Sequence, residues 1–305
     1  MLLREFRPNL VVLCHPAMKS YLSLIKFSHT IFALPFAVIG TILGILDGYD
    51  ISALLGLKIL LCMVFARSAA MAFNRWADER YDRLNPRTSG REIPAGIISK
   101  NVALYIVFFN SIGFILVTWT INPICFYLSP VALLTVLGYS FTKRWTVICH
   151  LILGTGLALA PIGSYLAVTG MFSLIPLLFS GVVFYWVSGF DIIYALQDEE
   201  FDKANQLHSI PARYGKSVAL NISRALHLFC SALILYASYM IQSKYIGSGW
   251  LTWMAAMLFI GMLIYQHRLV SPRDLSKVNL AFFTANGIAS VLYGLVLGID
   301  LLTGV

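Results

Sequence analysis

The sequence predicts an all-α protein that crosses a membrane repeatedly, and three observations predict it. Of its 305 residues, 59% are hydrophobic and 12% charged, against roughly 45–50% apolar residues in a soluble domain. Nine stretches reach the length of about 20 mostly apolar residues that a spanning helix needs. The Lys and Arg residues between those stretches gather on alternate sides, as membrane orientation requires.

In chain order the predicted helices cover 21–46, 51–73, 101–119, 123–141, 147–168, 171–190, 217–241, 248–266 and 279–301. Residues 1–18 carry Arg4 and Arg7 and a short apolar run broken by Pro8 and Pro16, without a small-residue cleavage site, and read as a cytosolic lead-in. With the N-terminus cytosolic, one set of loops holds Arg75, Arg80, Arg83, Arg87, Arg91, Lys143, Arg144, Lys203, Arg213, Lys216, Arg268, Arg273 and Lys277, and the opposite set holds Lys244. An eight- or ten-helix count would spoil this asymmetry. Pro35 in the first helix and Pro161 in the fifth are expected to kink their helices, which neighbours in a membrane bundle can accommodate. Cys14, Cys62, Cys125, Cys149 and Cys230 form no CxxC pair, so neither a disulfide framework nor a zinc site is expected. The net charge of +8 sits in the loops and does not speak for nucleic acid.

Two of the cytosolic loops resemble each other. The first reads Asp78-Glu79-Arg80-Tyr81-Asp82-Arg83-Leu84-Asn85 and the second Asp198-Glu199-Glu200-Phe201-Asp202-Lys203-Ala204-Asn205, and an Ile-Pro-Ala follows each, at 93–95 and 210–212. The offset spans four predicted helices, so the chain reads as two related four-helix units plus a ninth helix, within one membrane-embedded domain over 1–305. The acidic loops, 74–100 and 191–216, should face each other. Asn74, Asp78 and Asp82 are spaced i, i+4, i+8, and Asp191, Asp198 and Asp202 are spaced i, i+7, i+11. If the helices continue through these segments, each trio lines one face. Carboxylates held together repel unless a cation joins them. Hard oxygen ligands of this kind suit Mg²⁺, which also accepts phosphate oxygens. Neighbouring Arg and Lys could instead pair with the acids as ordinary solvated loop charges.

Further polar residues fall where a bilayer makes them costly. Arg67 lies seven residues before Asn74, on nearly the same helix face, and asks for an anion. Lys26 and His29 raise the same question near the start of the first helix, although Lys can snorkel to the interface. Lys143 and Arg144 close the fourth helix, where they either only obey the positive-inside rule or also serve to catch diphosphate oxygens. Aromatic residues make up 13% of the chain; a few lining a cavity would stabilise a carbocation through their ring faces.

Along nearly its whole length the sequence resembles the UbiA superfamily of intramembrane aromatic prenyltransferases. The family's NDxxDxxxD motif corresponds to the run from Asn74 to Asp82, followed by Arg87-Thr88, Arg91 and Pro94-Ala95-Gly96. Its DxxYAxxDxxxD motif is intact from Asp191 to Asp202, with Tyr194 and Ala195 in place. Arg75 departs from the pattern, standing where many members have a second acid. The stretch from Tyr139 to Arg144 is similar to the family's Tyr-and-basic motif, and Lys26-Phe27-Ser28-His29-Thr30 to its first-helix motif, with Lys where Arg is frequent.

The resemblance implies that Asn74, Asp78, Asp82, Asp198 and Asp202 hold Mg²⁺ ions that grip a polyprenyl diphosphate, whose oxygens Lys143, Arg87 and Arg144 neutralise. Asp78 and Asp198 then take part in ionising the allylic diphosphate. Asp191 deprotonates or orients the acceptor hydroxyl, and Arg67 with Lys26 holds an acceptor carboxylate. The expected reaction is prenylation of a small aromatic acid in quinone biosynthesis, with 4-hydroxybenzoate as the generic acceptor, at the cytosolic face of the cell (inner) membrane. The stretch Ser271–Asn279, Asn286 and the Ala-Met-Ala-Phe run at 70–73 look similar to the branch that prenylates 1,4-dihydroxy-6-naphthoate for menaquinone. A secondary transporter would also carry internal repeats and intramembrane charges, but with acids near the bilayer midplane. A structural scaffold has no use for paired aspartate trios.

Overall fold

The computed structural model describes Leu24, residues 32–245, Gly247 and residues 249–304. Among the described residues the chain is helical, with Ser271 and Asp274 meeting in a single isolated bridge. The helices are α1 (Leu34–Leu46), α2 (Ala53–Ala77), the short α3 (Glu79–Leu84), α4 (Lys100–Trp119), α5 (Pro123–Thr142) and α6 (Cys149–Thr169). They continue with α7 (Leu174–Ala195), the short α8 (Glu199–Ala204), α9 (Ile210–Lys244), α10 (Trp250–Leu269) and α11 (Asn286–Thr303). Eight are long and apolar enough to cross a membrane, counting α7 with its continuation to Ala204 and α11 with the turn before it, and the shorter α1 is apolar as well.

Local chemistry sets the boundaries. Ser52, Ser99, Asn122 and Ser209 each accept a hydrogen bond from the backbone N–H three residues on, which satisfies an otherwise orphaned donor in the first turn of α2, α4, α5 and α9. Gly170 ends α6 in the left-handed conformation at φ 69°. Pro35 falls in the first turn of α1 among the described residues, where its missing N–H costs nothing, so the expected mid-helix kink moves to a helix start. Pro161 does lie inside α6, and Pro130 lies inside α5. The expected helix 217–241 begins earlier, at Ile210, because Ile210-Pro211-Ala212 makes a capped turn of its own; Gly215, at φ 78°, interrupts it before the long span. A π-helical turn, Leu280–Ala285, leads into α11.

The helices segregate by burial. α7 packs between α6 and α9, α1 packs on α6 and α11, and α2 pairs with α4. Phe36, Phe179, Trp186, Phe259 and Tyr293 build the main core between these elements, with Trp186 donating its Nε1–H to Asn286 Oδ1 at 2.9 Å. α4 and α5 instead expose Tyr105, Phe108, Phe109, Leu116, Tyr127 and Leu134. In water such a surface would drive association; in a helix long enough to span a bilayer it faces lipid at no cost. Gly40 lets α1 approach α6 closely, since a Cβ there would lie 2.1 Å from the Pro161 carbonyl oxygen. These packings bring the ends of α2, α5 and α7 and the starts of α6 and α9 together, and with them the two acidic motifs and their basic partners.

Candidate active site

The first acidic motif rides on a helix that barely breaks. Asp78 ends α2, yet its N–H bonds to Asn74 O at 2.9 Å and the Asp82 N–H bonds to Asp78 O at 2.8 Å, so the i, i+4, i+8 register runs through the junction into α3. Asn74 Nδ2 donates to Asp78 Oδ2 at 3.0 Å. Asp82 is buried; Arg91 reaches its Oδ1 at 2.7 Å, while its Oδ2 is buried without a hydrogen-bond partner among the described residues. Desolvation, with Asp82 nearby, raises the Asp78 carboxyl above the ordinary carboxylate range, and the Arg144 guanidinium 3.4 Å away opposes that rise.

Arg75, the departure from the family pattern, turns away from this trio. One residue past Asn74 places it about 100° round the helix, where it is buried with its Nε 3.9 Å from Glu92. Its Nη1 donates to Asn74 Oδ1 at 3.3 Å, so it props the first residue of the motif from outside.

The second motif follows the same plan. α7 passes through a 3-10 turn at Leu196–Asp198 into α8, which keeps Asp198 and Asp202 on the buried side. Asp198 accepts from both Arg87 Nε, at 3.0 Å, and Arg87 Nη2, and also from Asn85 Nδ2 at 3.1 Å. The third Arg87 nitrogen donates to the Tyr194 hydroxyl at 2.8 Å. Asp202 is fully buried between Lys143, at 2.8 Å, and the Ser209 hydroxyl, at 2.8 Å. Burial works against the charge on Lys143 and on Arg87, but the carboxylates of Asp202 and Asp198 outweigh it and raise both above their usual values. Both side chains therefore stay cationic at neutral pH.

Each acidic segment is thus held by cations from another part of the chain. Arg87 crosses from the first loop to Asp198 of the second, while the adjacent Lys143 and Arg144, just past α5, divide between Asp202 and Asp78. Among the described residues no three His, Cys, Asp or Glu side chains converge at metal-ligand spacing. The donor set still fits a hard divalent cation: it consists of carboxylate and amide oxygens, and the orphaned Asp82 Oδ2 is a buried oxygen that a cation would satisfy.

Asp191, two turns before Asp198, is half-buried and apart from these pairs. Its Oδ2 lies 2.7 Å from Nδ1 of His150, a buried residue in the first turn of α6. Sequence reasoning missed His150; the available signal was an ionisable side chain inside an apolar stretch, which is expensive in a membrane without a role.

A cavity of about 350 Å³ opens among α1, α2, α4, α5 and α6. Its walls are mostly apolar, including Met63, Phe114, Leu128 and Leu157, and Arg67 and Tyr139 are among the polar residues that line it. Tyr139 lies within electrostatic reach of Arg67, Asp78 and Asp191, so the polar part of the cavity adjoins the acidic cluster. Lys26 and His29 lie outside the described residues, as does the lead-in 1–18.

Comparison with known proteins gives the family and the fold. The model of the UbiA prenyltransferase family matches residues 33–288. A 4-hydroxybenzoate octaprenyltransferase of Polynucleobacter necessarius subsp. necessarius (strain STIR1) is 30% identical over 257 residues, 81% of this chain and 86% of that protein. A second, from Polynucleobacter asymbioticus, is 31% identical over 240 residues, 77% of this chain and 80% of its own length. The apo structure of a UbiA homolog from Aeropyrum pernix K1 superposes with a TM-score of 0.78 at 31% identity, covering 89% of this chain and 98% of that one. A UbiA homolog from Archaeoglobus fulgidus bound to DMAPP and Mg²⁺ shares the fold at a TM-score of 0.70 and 22% identity, covering 94% of this chain and 100% of its own. The chain belongs to the UbiA prenyltransferase family.

Proposed function

We propose that the chain transfers a polyprenyl group from its diphosphate to 4-hydroxybenzoate, a small aromatic acid used in quinone biosynthesis, in a Mg²⁺-dependent reaction. The observation that carries this reading is the pairing of both acidic motifs with Arg87, Lys143 and Arg144 beside an apolar cavity whose polar wall holds Arg67. The names of the two Polynucleobacter relatives support the acceptor, and the Archaeoglobus complex supports the donor and metal class. A transporter reading is disfavoured because these acids sit at helix ends and not at mid-span.

In this reading Asn74, Asp78, Asp82, Asp198 and Asp202 hold Mg²⁺, which supplies Lewis-acid neutralisation of the charge that develops on a departing diphosphate. Arg87, Lys143 and Arg144 exchange their carboxylate partners for diphosphate oxygens as the donor binds. The allylic C–O bond breaks and its electron pair leaves with the diphosphate, aided by charges placed before the reaction begins. Arg67 pairs with the acceptor carboxylate, with Lys26 assisting, and Asp191 holds the hydroxyl. A ring carbon then forms the new C–C bond, and the proton it carried passes to the released diphosphate. The apolar cavity takes the prenyl chain and keeps water from the cation.

We also read α1 as the described part of a ninth span and the chain as one membrane-embedded domain of two related four-helix units plus a ninth helix. By the positive-inside rule, the basic loops support a site on the cytosolic side of the inner membrane. Purified protein in detergent, given a radiolabelled prenyl diphosphate and either 4-hydroxybenzoate or 1,4-dihydroxy-6-naphthoate, is expected to prenylate 4-hydroxybenzoate. Product on the naphthoate alone would move the chain to the menaquinone branch, and no product on either would sink the reading.

A further inference from the structure

We infer that His150 is a positioning residue for the acceptor: it fixes the Asp191 carboxylate so that one oxygen stays open to the aromatic hydroxyl. The inference rests on the role proposed for Asp191 and adds a residue outside both acidic motifs.

Three contacts define what His150 can do. Its Nδ1 is 2.7 Å from Asp191 Oδ2. The Ile210 backbone N–H donates a long hydrogen bond, 3.4 Å, to its Nε2. A backbone amide can only donate, so Nε2 accepts, the ring proton sits on Nδ1, and that proton points at Asp191. The ring is buried at 3% exposure, and each of its nitrogens meets one partner. Asp191 Oδ2 is therefore occupied. Asp191 retains 21% side-chain exposure, and its Oδ1 has no hydrogen-bond partner among the described residues.

The surroundings say what that open oxygen serves. Tyr139 lies within electrostatic reach of both Asp191 and Arg67. An aromatic acid with its carboxylate on Arg67 and its hydroxyl on Asp191 would therefore lie beside the Tyr139 ring, in the polar part of the cavity. A carboxylate free to rotate would meet that hydroxyl in many poses; one held through Oδ2 presents a single oxygen.

The backbone that steadies His150 also reaches the diphosphate side of the site. His208 N–H donates to the Lys143 carbonyl at 2.7 Å, the Cys149 thiol approaches the His208 carbonyl at 3.5 Å, and Ile210 N–H meets His150. The segment 208–210, which includes the Ile of the repeated Ile-Pro-Ala, therefore ties Lys143 and His150 to one short stretch of chain. That gives the second copy of the repeat a use in the site.

The test compares His150→Leu, which removes the donor, with His150→Asn, whose side-chain N–H can occupy the place of Nδ1–H. For His150→Leu we expect kcat to fall by about 10²-fold, the scale of a misplaced reacting group. The acceptor KM should rise with it, while Mg²⁺-dependent binding of the prenyl diphosphate stays at the wild-type level. His150→Asn should recover most of the loss. Adding His150→Leu to Asp191→Asn should cost nothing more, because the histidine acts only through the carboxylate. Wild-type kinetics in His150→Leu would overturn the role. So would equal loss of diphosphate binding and activity in both variants, or additive losses in the double variant. Wild-type protein that prenylates no aromatic acid would sink the functional reading, and this role with it; wild-type activity alongside an unaffected His150→Leu would sink only the role.

Discussion

At the scale of single residues, the site is a set of ion pairs between acidic motif residues and loop cations. Arg87 meets Asp198 through two nitrogens and the Tyr194 hydroxyl through the third. A planar fork is needed for that geometry, so Arg87→Lys is expected to raise the KM for the prenyl diphosphate nearly as much as Arg87→Ala, on the order of tenfold or more, in steady-state assays. Arg67→Ala should raise the acceptor KM by a similar order and leave diphosphate binding intact, since an arginine–carboxylate pair is worth about 1.5–3 kcal/mol. A matched rise in both constants would place Arg67 in the donor site. The motif acids and the basic pair at 143–144 were legible in the sequence because residue type and spacing alone mark them. The pairing was not: Arg87 and Asp198 are 111 residues apart, and no local pattern says which cation crosses to which acid. His150 escaped for a related reason, since one histidine in an apolar helix has no periodic partner and its meaning appears only when α6 lies beside α7. Arg75 looked like a gap in the first motif; its partner Glu92 lies in the loop beyond α3, and one step round the helix separates it from the ligand face.

At the scale of elements, the apolar runs made the helices easy to place: eight observed spans overlap predicted ones, while α9 starts early at Ile210 and the first predicted helix is described from Leu34. The interruptions were harder. The break at Gly215 and the 3-10 turn at Leu196–Asp198 depend on the tertiary need to return Asp198, Asp202 and Ser209 to the bundle, and helix periodicity carries no trace of that. Helix contacts also turn on single small residues. Gly40 sits so close to the Pro161 carbonyl and to Ser164 Oγ that a Cβ has no room, at 2.1 and 2.3 Å. Because the main obstacle is backbone, Gly40→Ala should push α1 from α6 and cost about 1–3 kcal/mol, read as a lower melting temperature in detergent. An unchanged melt would mean that the two helices separate freely. Trp186→Phe removes the donor to Asn286 from the aromatic core. It should cost about 0.6–1.7 kcal/mol, the measured range for hydrogen bonds between membrane helices, without altering diphosphate binding.

At the scale of the whole molecule, the helices carry two environments, one above the other. The apolar cavity lies among helices whose outer faces are apolar and exposed, and Tyr139 in its wall is within electrostatic reach of Asp78 and Asp191 in the charged cluster. This division matches a substrate with a long apolar tail and a highly charged head. The central claim is that the two acidic motifs act together, through bound Mg²⁺, on a prenyl diphosphate at this junction. Its most direct test is transfer of a radiolabelled prenyl group to 4-hydroxybenzoate by purified protein, with Mg²⁺ or with excess EDTA, in wild type, Asp78→Ala and Asp198→Ala. Product is expected only with Mg²⁺ in the wild type, with a loss of at least about 10²-fold in each variant. Product that persists in EDTA, or in either variant at the wild-type rate, would contradict it.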